Sequence, residues 1–429
     1  MAHMSREQTR SAESSAHVLA LLTLLMFVSY LDRQVLAIFV QPIKAELGLS
    51  DSQIGLLTGI AFSAVYAFCG LPLARVADRA SRKAVLCGAL VAWSVATGLC
   101  GAAQNFAQLF LTRMGVGAGE AGGVPASHAM ISDMFPPERR ATAMAIFTAG
   151  GAAGILSGFA IGGWLEDAFG WRKAFLLLAL PGLVLAAFIA LTLREPKRGQ
   201  SGSSSLAIER SSRSAYLALL SNPVVVFLLL GQALANLLTF SQLQWMPAFF
   251  ERTFGLARHE VGESIALTRG LGMLIGLIAG GLIADRLARR SLALPLVVVM
   301  FAQVLAMAPN VGLYSVSDVN TALLLTTLGG FFSAMAMGPE IATLQAVAPP
   351  HQRATMSSMS MVCSGLIGVG LGPWIVGLLS DAFAPTRGQD SLRPALLLVI
   401  GVVSPLALVA YSYALRGLFR QLQAAEASV

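Results

Sequence analysis

Six ionisable side chains stand inside long apolar runs of this 429-residue chain: Asp32, Arg33, Arg113, Glu120, Arg269 and Glu340. A charge in such a run is costly unless it is paired or faces water, so each one marks a candidate functional position. Asp32 and Arg33 are adjacent. On a helix they point roughly 100° apart, which lets one face a cavity while the other meets a neighbouring helix. Arg113 and Glu120 are two helical turns apart on one face, about 10 Å along the axis, with Gly117 between them. A carboxylate that exchanges an arginine partner for a desolvated pocket changes its proton affinity, which is the chemistry of proton loading and release. Asp32 and Glu120 are therefore read as proton-coupling groups. Arg33, Arg113, Arg269 and Glu340 are read as substrate-binding or ion-pair residues, the arginines being suited to hold a carboxylate or phosphate by charge-assisted hydrogen bonds. A static salt-bridge cluster is the alternative. Apolar side chains would pack the same helices at a lower desolvation cost, which favours function.

The elements that position these residues follow from composition. Hydrophobic residues make up 56% of the chain and charged residues 12%, and the mean hydropathy is +0.72. These values exclude ordinary water-soluble domains and leave lipid as the solvent. About 20 apolar residues cross a hydrocarbon core as a helix, and about a dozen such runs follow one another between short polar turns. The expected spans are 17–43, 52–77, 83–103, 106–134, 139–165, 172–193, 216–250, 260–284, 291–309, 319–347, 354–380 and 393–416. The first run carries charges midway and no small-residue cleavage site follows it, so it is expected to remain as a helix. Met1-Ala2-His3 reads as a cloning remnant ahead of Met4.

A net charge of +7 invites a nucleic-acid reading, but the basic residues fall in alternate connections. Arg75, Arg79, Arg82 and Lys83, then Arg139 and Arg140, then Arg194, Lys197 and Arg198, then Arg286, Arg289 and Arg290 alternate with poorer loops. By the positive-inside rule the protein is multi-pass with both termini and the middle loop cytoplasmic, and no nucleic-acid partner is expected. Cys69, Cys87, Cys100 and Cys363 lie in apolar segments without metal-ligand spacing and read as small core residues.

Internal repetition divides the chain. Asp78-Arg79 with Arg82-Lys83 recurs as Asp285-Arg286 with Arg289-Arg290. Pro136-Pro137 with Arg140-Ala141-Thr142 recurs as Pro349-Pro350 with Arg353-Ala354-Thr355, and Asp167-Ala168-Phe169 recurs as Asp381-Ala382-Phe383. The copies stay about 210 residues apart, as a duplicated six-helix unit requires. The charged, Ser-rich stretch between them reads as a linker. The expected organisation is an N-terminal bundle at 17–193, a cytoplasmic linker at 194–215 and a C-terminal bundle at 216–416. Parallel duplication of this kind is a carrier architecture, with a substrate site near mid-membrane.

Ala74-Arg75-Val76-Ala77-Asp78-Arg79-Ala80-Ser81-Arg82-Lys83 resembles the signature Gly-x-x-x-Asp-Arg-x-Gly-Arg-Arg of the major facilitator superfamily, and a second copy starts at Gly281. Arg113-Met114-Gly115-Val116-Gly117-Ala118-Gly119-Glu120 and Tyr30-Leu31-Asp32-Arg33 resemble the Spinster branch. The resemblance implies an all-α membrane fold of twelve helices in two six-helix bundles. It implies a proton-coupled secondary active transporter that works by alternating access on an amphipathic anionic lipid or lysolipid. Organic-anion symporters carry a similar Asp-Arg, so a proton-coupled organic-anion symporter is the alternative. Drug exporters carry Pro where Phe159 stands here, between Gly158 and Gly162, and are a weaker match. The resemblance further implies no enzymatic activity, no cofactor beyond the proton, a monomer, and residence in the bacterial inner membrane. It also gives Asp78, Arg79, Arg82, Asp285, Arg286 and Arg289 the part of a conformational latch, in which the acid meets the N-terminus of a helix.

Other signals are discounted. Gly117-Ala118-Gly119-Glu120-Ala121-Gly122 spells a dinucleotide fingerprint, but no strand precedes it, and close helix packing is the better reading. His128 reads as a packing residue, and Phe331, Phe332, Met335 and Met337 as core or lipid-facing positions. No HExxH, nucleophile elbow or P-loop is present.

Overall fold

The computed structural model describes residues 2–193, 195, 213–349 and 352–426, and within them every regular element is helical. This is the solution that satisfies backbone polar groups without water. In chain order the α-helices are α1 (Ala2–Ile38), α2 (Val40–Leu47), α3 (Asp51–Thr58), α4 (Ile60–Arg79), α5 (Arg82–Cys100), α6 (Phe106–Glu120), α7 (Gly123–Met134) and α8 (Pro137–Thr192). They continue as α9 (Arg213–Leu220), α10 (Pro223–Phe254), α11 (Arg258–Ala288), α12 (Leu294–Leu313), α13 (Val319–Met335), α14 (Met337–Val347), α15 (Arg353–Cys363), α16 (Gly372–Arg387) and α17 (Leu392–Glu426). Nine stretches of the described residues are long and apolar enough to cross a membrane. Two of them, at 51 and 70 residues, are long enough for two crossings each. The broken pair α6–α7 supplies a further one, which agrees with the twelve-helix expectation.

Local chemistry explains the breaks. Gly170 adopts φ 74° inside α8, a left-handed conformation that glycine alone takes cheaply, and there the chain turns between two crossings. The start of α3 is fixed by a capping box: Ser50 Oγ accepts from Gln53 N while Gln53 Oε1 accepts from Ser50 N. Asn105, Asn222 and Asp318 cap α6, α10 and α13 from one side only, each side-chain oxygen accepting from a backbone N–H of the first turn. Between α15 and α16 the expected eleventh span departs from α-geometry, and Ser364–Leu371 is π-helical. Asn236 of α10 packs there, where Gly368 offers no side chain.

The described chain packs as two units, one of Met1–Leu49 with Ala61–Ile208, the other of Ser50–Ile60 with Glu209–Val429. The division differs from the expected bundle boundary in one element. α3, from the first half of the sequence, packs in the second unit, where a Cβ on Gly55 would lie 2.5 Å from the Pro373 carbonyl oxygen. In the first unit, α8 lies along α1 so closely that a Cβ on Gly154 would meet the Phe27 carbonyl oxygen at 2.3 Å. The second unit is built on a buried apolar cluster that includes Val225, Leu228, Leu296, Val299, Met335 and Met356. Most of the expected linker, 194–215, lies outside the described residues.

Candidate functional site

α1, α4, α5 and α6 of the first unit bring four of the six sequence-identified charges together. Two glycines let α6 enter this group. A Cβ on Gly117 would lie 2.6 Å from the Phe62 carbonyl oxygen of α4, and one on Gly119 would lie 2.6 Å from Trp93 N of α5. The Gly-x-Gly stretch is thus a helix contact, as its apolar setting implies. Glu120 at the end of α6 is buried, and its Oε2 collects three donors: Arg33 Nη2 at 2.5 Å, Arg33 Nε at 2.7 Å and Ser29 Oγ at 2.7 Å. Its Oε1 has no hydrogen-bond partner.

Arg33 is the group that opens outward, its side chain 22% exposed against 1% for Glu120. Its guanidinium carbon stands 4.9 Å from the Tyr30 ring centroid, 4.4 Å from Phe62 and 5.0 Å from Tyr66. Such an aromatic cage holds a cation at low entropy cost and leaves its remaining donors for an anion. Phe62 also carries Arg113, 5.7 Å from its centroid on the other guanidinium. Asp32 is fully buried in the field of Glu120 and Arg113 and beside Thr97 and Trp93. Neither Asp32 oxygen reaches hydrogen-bonding geometry, and Arg113 Nε and Nη1 are likewise without partners. The structure therefore joins Arg33 to Glu120 directly and sets Asp32 and Arg113 beside them without a direct bond.

The remaining sequence-identified residues fall elsewhere. Glu340 of α14 is buried in the second unit and accepts a hydrogen bond from the Tyr411 hydroxyl of α17. Arg269 of α11 is buried in the same unit. Arg82 pairs with Asp133 and donates to the Ala129 carbonyl at 3.3 Å, tying α5 to α7. Asp285, Arg286 and Arg289 are exposed at the end of α11, and the side chains of Asp78 and Arg79 lie outside the described residues. His128 packs edge-on against Phe147 with centroids 5.4 Å apart.

Sequence reasoning did not single out Ser29, Phe62 or Tyr66. Tyr66 and Phe62 are one turn apart and their rings stack at 5.5 Å. That four-residue aromatic spacing was the available signal. It also passed over a buried cluster in the second unit. Asp51 accepts from Arg252 Nη2 at 2.7 Å and Nη1 at 2.8 Å and from Ser380 Oγ at 2.6 Å. Asp381 accepts from the backbone N–H groups of Asp51 and Ser52 at 2.9 and 2.8 Å, an acid on a helix N-terminus.

Residues 22–373 match the family model described as Major Facilitator Superfamily. An "MFS-type efflux pump" of Mycolicibacterium smegmatis is 34% identical over 95% of this chain and 94% of its own length. A "Hexuronate transporter" of Bacillus subtilis is 26% identical over 91% of this chain and 94% of its own length. Among solved structures, a bacterial homologue of the human lysosomal transporter Spinster superposes with a TM-score of 0.85 at 25% identity, covering 95% of this chain and 98% of that one. The Spinster-like resemblance read from the helix-one and helix-four motifs is borne out.

Proposed function

The chain belongs to the Major Facilitator Superfamily, and from that premise we propose that this membrane transporter is a proton-coupled carrier of an amphipathic organic anion, lipid or lysolipid in class, working by alternating access. The observation that carries the proposal is the partly exposed Arg33 guanidinium, caged by Tyr30, Phe62 and Tyr66 and neutralised by Glu120. Cation and aromatic wall together match an anionic head joined to an apolar body. Proton and substrate act on the same pair. A proton on Glu120 removes the counter-charge of Arg33 and releases its donors to a carboxylate or phosphate, while a proton on Asp32 removes a negative charge that acts on Arg113. A differential pairing energy of about 1–3 kcal/mol is enough to couple two such binding events.

A second reading, a symporter of small organic anions, is favoured by the hexuronate transporter among the relatives. The efflux-pump relative favours outward movement, although Phe159 departs from the exporter pattern. The loop distribution of basic residues supports cytoplasmic termini in a bacterial inner membrane, and the proposed working unit is the monomer.

Uptake of labelled lysophospholipid, sphingoid base and hexuronate into proteoliposomes, each with and without a pH gradient, tests the substrate class. Gradient-sensitive movement of the lysophospholipid is expected. Movement of hexuronate alone would transfer the protein to the small-anion reading.

A further inference from the structure

Arg113 and Arg269 are the two arginines among the largest fully buried side chains of the molecule. Arg113 shares its surroundings with Asp32, and Glu120 stands on the same helix. Arg269 has no acidic partner among the described residues. Among the described residues, the ionisable group close enough to act on it is the Tyr314 phenol. Carboxylates of the same unit are engaged elsewhere: Asp51 with Arg252, Asp390 with Arg393, Asp381 with the α3 N-terminus and Glu340 with Tyr411. Nε and Nη1 of Arg269 and the hydroxyl of Tyr314 are all buried without a hydrogen-bond partner.

A lysine or histidine in that position could shed its proton. Arginine cannot, because its guanidinium stays protonated in proteins. A buried, uncompensated guanidinium is among the costliest arrangements a fold can hold, and an anion relieves it most directly by supplying both the counter-charge and the acceptors. Close packing fixes the stem of the arginine. Gly330 of α13 passes Arg269 so closely that a Cβ would lie 3.3 Å from its Cγ, and the preceding Gly329 gives way to the Asn310 Oδ1 of α12, 2.4 Å from its own notional Cβ. Arg269 from α11 and Tyr314, which follows α12, thus leave three donors buried without a partner.

We infer that Arg269 and Tyr314 hold a small monovalent anion within the second unit. One positive charge neutralises one negative charge, and the chemistry fits a halide from solution or the carboxylate of an organic acid equally. The site belongs to the second unit, uses none of the residues of the Arg33–Glu120 pair and stands whether or not that pair couples transport to protons.

Thermal unfolding of the purified full chain tests it, in isethionate buffer at constant ionic strength titrated with sodium bromide or sodium acetate. Wild type is expected to show a saturable rise of about 2–4 °C with one or both anions. A response to bromide alone identifies a halide site, and a response to acetate alone identifies a carboxylate site. Arg269→Gln should be insensitive to both, and Tyr314→Phe should need about tenfold more anion for the same rise. A wild-type midpoint indifferent to both anions, or an Arg269→Gln protein that responds as wild type does, overturns the inference. If Arg269→Gln does not fold, the Tyr314→Phe titration decides, and an unchanged half-saturating concentration overturns it.

Discussion

Glu120 uses its two oxygens unequally: Oε2 takes Ser29 and both nearer nitrogens of Arg33, and Oε1 takes nothing. Asp32, beside it, is buried between the like charge of Glu120 and the opposite charge of Arg113, with Thr97 and Trp93 close by and neither oxygen in hydrogen-bonding geometry. An oxygen without a partner is a place where a buried carboxylate can take up a proton, which is what the proposed proton-driven step needs. Glu120→Gln is expected to flatten the pH dependence of the conformational equilibrium, measured by spin-label distances between the halves. A pH response equal to wild type would sink the role of Glu120. Arg33→Lys keeps the charge but loses the planar fork and its stacking on Phe62 and Tyr66, so an approximately tenfold rise in KM is expected with expression unchanged. At this scale the charged residues were legible, because a charge in an apolar run stands out. Their partners were not. Tyr411 lies far from Glu340 in sequence, and nothing local announces that α17 will deliver it.

Among elements, α3 shows most clearly how packing overrides chain order. Its capping box is written in Ser50 and Gln53, but its membership of the second unit rests on Arg252 and Asp381, which only the folded chain brings to it. Arg252→Ala leaves Asp51 buried without its cation and should cost about 3–5 kcal/mol in unfolding free energy. An unchanged melting temperature would contradict that assignment.

Gly117 makes the opposite case, a contact legible in advance from small residues in an apolar span. Gly117→Leu forces α6 off Phe62 and should destabilise by about 1–3 kcal/mol, with the Arg33 cage disturbed through the same ring. The N-terminus of α5 carries a pH-dependent cap. Burial alone would raise the Glu195 carboxyl, but the Ser81 hydroxyl and the backbone N–H groups of Lys83 and Arg82 outweigh it and hold it below the usual carboxylate range. The cap is therefore fully present above the unfolded glutamate value of about 4.3 and is lost as pH falls through the lower folded value. Hydrogen exchange in the first turn of α5 should accelerate across that acid window, and Glu195→Gln should abolish the pH dependence.

For the whole molecule, the sequence repeats gave the fold its outline. The Asp-Arg, Pro-Pro and Asp-Ala-Phe copies repeat at nearly constant spacing because each half must make the same six crossings. The family and the all-helical architecture agree with that outline. What the repeats conceal is divergence between the halves. One unit gathers its charges into the Arg33–Glu120 group, while the other leaves Arg269 and Glu340 in separate, acid-poor and base-poor surroundings. Duplication explains the shared frame, and the proposed function rests on the charges that the halves do not share. In the proposed mechanism, protons drive transport through Glu120 and its neighbour Asp32. The most direct measurement is gradient-driven uptake of labelled lysophospholipid by wild type, Asp32→Asn and Glu120→Gln in proteoliposomes, each with the pH gradient on and off. Gradient-stimulated uptake by wild type that either substitution abolishes, with downhill exchange retained, is the predicted result. Equal stimulation in all three proteins would contradict the claim and make the buried carboxylates structural.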